Sequence, residues 1–139
     1  MPGPAPKASV VRRNPRVGPV LLPAKGRKGA PPDWPLPRPL SGSEGVAWQR
    51  LWASPQAVAW ENLGWTHTVA RYCRMLVASD AEDAPITLCA EVRQLEDRLG
   101  LNPLSMRRLM WQIAPDEVAE KREGAAVSAR ERLRAVETG

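Results

Sequence analysis

The sequence contains no phenylalanine, one tyrosine, one histidine and two cysteines among 139 residues. With a single histidine, His67, no histidine pair can chelate a metal, and the distant Cys73 and Cys89 complete at most a partial zinc site. Cys73 and His67 also make a poor nucleophile and base, because a separation of six puts them on roughly opposite sides of one helix. His67 is expected to be a partly exposed polar residue. Both cysteines fall on apolar helical faces, so reduced thiols are expected in place of a disulfide framework. Neither GxxxxGK[ST] nor GxGxxG occurs, which removes the common phosphate-binding loops. The acidic loop Asp80-Ala81-Glu82-Asp83 has no second set of carboxylates to complete an octahedral cation site. No apolar run reaches the roughly 18 residues of a membrane span, and the basic N-terminus lacks the apolar segment of a secretory signal. The expectation is a protein of the cytoplasm with no catalytic activity, cofactor, metal or membrane contact.

What is present is unevenly distributed. The net charge is +5, yet residues 1–40 hold eight Lys or Arg against one acid, Asp33, while residues 41–139 sum to −2. Eleven of the fifteen prolines and four of the ten glycines share those forty residues. Such a segment sustains neither a long helix nor a sheet ladder and has little apolar surface to offset the entropy of ordering. Residues 1–42 are therefore expected to form a flexible basic arm. Its charges form two groups: Lys7, Arg12, Arg13 and Arg16, then Lys25, Arg27 and Lys28. Charge separation this sharp more often marks a polyanion contact than a solubilising tail with no fixed partner, and an extended arm of this length reaches on the order of 120 Å at about 3.1 Å per residue. Asp33-Trp34-Pro35-Leu36-Pro37 is its one large apolar feature, and Trp34 needs a pocket on the domain or on a partner subunit.

Downstream the pattern is helical. Ser41 to Ser43 offers a start, and Trp48, Leu51 and Trp52 share a face. Ser54-Pro55 ends that helix and opens another, with serine as N-cap and proline at the first helical position, running to Gly64. Trp65, Val69, Tyr72, Cys73 and Leu76 make one stripe of a third helix that leaves Arg71 and Arg74 outside. The tryptophans Trp48, Trp52, Trp65 and Trp111 follow helical spacing, which places them in a core or between subunits more readily than against nucleic-acid bases. Beyond Ala114-Pro115, residues 115–139 have good helix formers but few bulky apolar residues, so a helix supported by neighbouring subunits or a frayed tail is expected.

The most informative stretch is 86–113. Leu88, Val92, Leu95 and Leu99 form one stripe, Gly100 suits a left-handed cap, and Asn102-Pro103 restarts a helix. Met106, Leu109, Met110 and Ile113 then recur at i, i+3, i+4 and i+7, with Arg107 and Arg108 off that face. Within an all-α core of residues 43–114, this is a helix-turn-helix-like unit with adjacent arginines, although an ordinary helical hairpin has the same spacing.

Gly100-Leu101-Asn102-Pro103-Leu104-Ser105-Met106-Arg107-Arg108-Leu109 resembles the GLTPxxRxRL signature of phage terminase small subunits, particularly the P27-like family. The opening Met1-Pro2-Gly3-Pro4-Ala5-Pro6-Lys7, followed by Arg12-Arg13-Asn14, is similar to the start of small terminase subunits from actinobacterial phages. Asn102 stands where the family usually has threonine, and either residue caps a helix. Met106 stands where the family often has a basic residue. The resemblance implies a homo-oligomeric ring in the host cytoplasm that recognises double-stranded viral DNA and delivers it to the large terminase subunit, the ATPase and nuclease. On that reading Lys7, Arg12, Arg13, Arg16, Lys25, Arg27, Lys28, Arg107 and Arg108 contact DNA, and Trp34, Trp48, Trp52 and Trp111 serve an oligomer or partner interface. Two other classes fit the same residues. One is a dimeric helix-turn-helix transcriptional regulator, which requires half-site symmetry, and the other is a structural adaptor that never touches DNA.

Overall fold

A computed structural model describes Gly3 and residues 18–138 of the chain. Its elements run β1 (Val20–Pro23), α1 (Gly42–Trp52), α2 (Gln56–Leu63), α3 (Thr66–Ser79), α4 (Ile86–Leu99), α5 (Pro103–Arg108), β2 (Trp111–Ala114) and α6 (Glu117–Glu137).

Local chemistry explains the helix boundaries. Ser41 and Glu44 form a reciprocal capping box at the start of α1, satisfying two backbone donors that a helix end otherwise leaves open. Ser54 does not open α2 as its sequence suggests. Its hydroxyl donates to the Leu51 carbonyl at 2.7 Å and so closes α1, while α2 begins at Gln56 after Pro55 and ends on left-handed Gly64. Helix α3 buries Val69, Ala70, Tyr72 and Cys73, the stripe read from its spacing, with Trp65 and Leu76 partly buried beside them. Burial among these apolar neighbours pushes the Cys73 thiol up to about 11, so at neutral pH it is a thiol and packs as a small hydrophobe. The Tyr72 hydroxyl donates to Glu96 at 3.0 Å, joining α3 to α4.

The centre of the core is a column of indoles. Trp34, Trp48, Trp52 and Trp60 meet successively edge to face, with centroids 4.9, 5.5 and 5.8 Å apart. Each such contact adds roughly 0.5–1.5 kcal/mol beyond the area it removes from water. Trp48, Trp52 and Trp111 are only 3%, 1% and 6% exposed within the single chain. Of the two placements that their spacing allows, core or subunit interface, burial within one chain supports the core: Trp48 and Trp52 lie in the column of four rings, and Trp111 packs beside Trp65. Trp34 is partly buried and also finds its pocket on the domain.

Two expectations about architecture are corrected. The fold is not strictly all-α, because β1 and β2 form a two-stranded parallel sheet with Val20 opposite Trp111 and Pro23 opposite Ala114. Helix α5 is capped at Leu109, and Met110 takes a φ of 60°, which turns the chain out of the helix and into a strand. Ile113 therefore leaves the helical stripe and is half exposed.

The second correction concerns the arm. Residues 18–41 do not hang free: Leu22 of β1 is fully buried in the core, and the following strap crosses the corner between α1 and α2. At that crossing Gly26 has a φ of 81°, and a Cβ there would stand 1.8 Å from the Ala53 carbonyl oxygen, so only glycine admits this approach. Composition misled because prolines and glycines that forbid a helix are compatible with an extended strap laid on a preformed surface. At the other end α6 is a 21-residue helix whose described side chains are all exposed. Among the described residues no helix is long and apolar enough to cross a membrane, and no group of His, Cys, Asp and Glu could hold a metal ion.

Candidate nucleic-acid interface

The α4–α5 turn is assembled from backbone requirements. Gly100 adopts a φ of 73°, and the Glu96 carbonyl accepts from both Gly100 and Leu101, which satisfies the end of α4. A Cβ on Gly100 would lie 2.3 Å from the Trp111 ring, so glycine serves both the left-handed cap and the closeness of β2. Asn102 then caps α5 through a box with Ser105, and its amide also donates to Asp97. Helix α2 holds this turn from beneath. Trp60 donates to the Leu99 carbonyl at 2.9 Å, and Gln56, one turn earlier, donates to the Gly100 carbonyl at 3.2 Å. Both carbonyls belong to the open end of α4. The role of Gln56 escaped the sequence reading, although a glutamine one turn before a tryptophan on the same helical face was a signal for it.

Helix α5 has six residues, about 9 Å at 1.5 Å per residue, and presents Arg107 and Arg108 in its last turn. Both are exposed, and neither guanidinium has an ion pair or hydrogen bond among the described residues. Arg107 lines an open groove of about 690 Å³ together with Pro19, Met106, Met110, Trp111 and Ile113. The buried Trp111 ring underlies this region and meets Trp65 at 6.1 Å. Because the Val20 amide donates to the Met110 carbonyl at 2.8 Å, the root of the N-terminal segment sits beside the α5 arginines.

The other basic positions divide into three groups. Lys7, Arg12, Arg13 and Arg16 lie outside the described residues. Lys28 is exposed with no ion pair among the described residues, while Lys25, 62% exposed, stands 3.7 Å from Asp116. Arg27, which the sequence reading placed in the DNA-contacting set, has its guanidinium engaged within the fold. It donates twice to Glu61 at 2.9 and 3.0 Å and once to the Ala30 carbonyl, and its guanidinium lies 5.5 Å from the Trp52 ring centroid. Its hydrogen bonds with Glu61 raise its own pKa and lower that of the glutamate.

A second polar cluster went unread in the sequence. Glu44, only 4% exposed, accepts from Arg74 at 3.0 Å and from Arg38, and the Arg38 carbonyl in turn accepts from Arg74 and from the Trp34 indole. Arg74 also lies 5.2 Å from the Trp34 ring centroid. Arg74 is thus a tie for the strap, not the solvated arginine that its helical position suggests. Burial pushes the Glu44 carboxyl upward, but hydrogen bonds from Arg74, Ser41 and Arg38 outweigh this and draw it down to about 2. A carboxyl depressed in the folded state contributes stability that is complete above its ordinary value near 4.5 and is lost as pH falls towards 2. The melting temperature should therefore drop across that window, and Glu44→Gln should flatten the drop while lowering the neutral-pH value. Thermal unfolding followed by circular dichroism from pH 7 to 2 checks this; an identical acid profile in the variant would refute it.

A family model described as phage terminase small subunit matches residues 1–137 of the chain. No curated protein and no solved structure gives a significant match.

Proposed function

The chain belongs to the phage terminase small-subunit family, and from that premise we propose that it is the DNA-recognition subunit of a tailed-phage packaging motor. It binds double-stranded viral DNA, assembles as a homo-oligomeric ring and hands the DNA to the large subunit, which carries the ATPase and nuclease; its own part is non-catalytic. One observation carries this reading. The pairing of β1 with β2 brings Pro19, at the root of the basic segment, into the same groove as Arg107. The described root of the basic segment thereby adjoins an arginine some ninety positions away in sequence. Lys7, Arg12, Arg13, Arg16 and Lys28 supply phosphate contacts from one side, and Arg107 and Arg108 supply them from the other. These contacts fix position and carry no base information, consistent with an α5 too short to lie along a major groove.

The test is the affinity of the full chain for a duplex, measured by fluorescence anisotropy. If Arg107 and Arg108 each neutralise one phosphate, Arg107→Ala with Arg108→Ala should weaken binding by about 30-fold near 0.15 M salt, because each contact contributes a slope of roughly −0.9 in log K against log[salt]. Affinity unchanged by the double substitution would remove α5 from the interface.

A further inference from the structure

The two arginines of α5 owe their placement to a short piece of backbone. Helix α5 has only six residues, and a helix so short does not hold itself in water. Among the described residues neither the Arg107 nor the Arg108 guanidinium has an ion pair or hydrogen bond, so the path of α5 sets the region they can reach. The first turn of α5 is fixed locally, by the capping box of Asn102 and Ser105. Its hold beyond that turn comes from another helix. The amide nitrogen of Gln56 donates to the Gly100 carbonyl at 3.2 Å and to the Met106 sulfur at 3.7 Å. A glutamine amide carries two N–H donors, and these two acceptors lie on either side of the turn: Gly100 closes α4, and Met106 immediately precedes Arg107. One side chain thereby bridges both helices.

Gln56 is also firmly mounted. It is the first residue of α2, followed by the fully buried Ala57 and, one turn on, by the fully buried Trp60, whose indole donates to the Leu99 carbonyl at 2.9 Å. Further along the same helix Glu61 grips Arg27 of the strap, next to the exposed Lys28. Removing the Gln56 amide would open one carbonyl at the end of α4 and release Met106, while the tryptophan column stays as it is. We propose that Gln56 is a positioning residue for DNA: by tying α5 to α2 across the turn, it holds Arg107 and Arg108 where both reach phosphates of one duplex. The inference rests on the DNA-contact reading above and adds to it the residue that sets the geometry of that contact.

The experiment is a double-mutant cycle on the full chain, with affinity for a duplex read by fluorescence anisotropy at several salt concentrations, below the melting transition of every variant. Gln56→Met keeps the length and bulk of the side chain and removes both donors. By misplacing one arginine it should weaken binding about 5-fold near 0.15 M salt and flatten the slope of log K against log[salt] by roughly 0.9, the value of one phosphate contact. In the background of Arg107→Ala with Arg108→Ala the same substitution should change neither, because Gln56 acts only through those arginines. A residue that only stabilises the fold would lower the melting temperature, read by circular dichroism, and leave the slope where it was. Met106→Leu removes the sulfur acceptor alone and should flatten the slope in the same direction; it takes the place of Gln56→Met if that variant does not fold. A wild-type slope in the variant used, or an equal loss in both backgrounds, would overturn the positioning role and leave the DNA reading standing. Arginine substitutions that cost no affinity would overturn both.

Discussion

Removal of residues 1–17 is expected to lower the affinity for duplex DNA by about three orders of magnitude near 0.15 M salt. The segment holds Lys7, Arg12, Arg13 and Arg16. Four phosphate contacts contribute a slope of about −3.6 in log K against log[salt], and the loss at any one salt concentration follows from that slope. Counting all seven basic residues assigned to the arm from sequence predicts a contribution nearer −6. Two of those seven are spoken for in the fold: Arg27 by Glu61, and Lys25 in part by Asp116. The truncation leaves β1 intact, since Leu22 and the β1–β2 pairing lie downstream of it, so melting should be unchanged. Anisotropy titrations at four or five salt concentrations measure both slopes, and coincident slopes for the full and truncated chains would show that the segment does not touch DNA.

The second large effect is on stability. Trp60 is completely buried, meets Trp52 edge to face, and donates the hydrogen bond that holds the Leu99 carbonyl. Trp60→Ala removes the base of the indole column and should cost roughly 3–5 kcal/mol, a large fraction of the total stability of a domain this small. Trp60→Phe separates the two roles. It keeps most of the ring volume but leaves a buried carbonyl without its donor, at a cost of about 1–3 kcal/mol. Urea unfolding monitored by circular dichroism distinguishes them, with the alanine variant unfolding at far lower urea than the phenylalanine one. A loss below about 1 kcal/mol for Trp60→Ala would mean that the column is not the core.

How much of this was legible in the sequence depended on the range of the interaction. Helix α4 and its Gly100 cap were readable because an apolar stripe and a glycine at its end are local signals. The same holds for α3 and for the Ser41 start of α1. The sheet was not readable: Val20 pairs with Trp111 some ninety positions away, and four-residue strands containing Pro23 or Trp111 carry no period of their own. Met106, Leu109, Met110 and Ile113 satisfied a helical spacing by coincidence, since Met110 has no glycine-like signal for the positive φ that ends α5. Arg27 and Arg74 show the limit for charge. Counting cations identified a basic N-terminal region, but which cations stay available depends on Glu61 and Glu44, 34 and 30 positions from their respective partners.

The direction of the β1–β2 pair has a mechanical consequence. In a parallel pair the N-terminal segment enters at Val20, beside the start of β2, and α6 departs beyond Ala114, beside the end of β1. A pull on the N-terminal segment and an opposing pull on α6 therefore act from opposite ends of two strands lying side by side. That load slides one strand along the other and strains all their hydrogen bonds together, where an antiparallel pair pulled at one shared end would peel bond by bond. The small sheet is thus oriented as a lap joint, able to pass tension from whatever grips the N-terminal segment to whatever holds the helix without opening the tryptophan core.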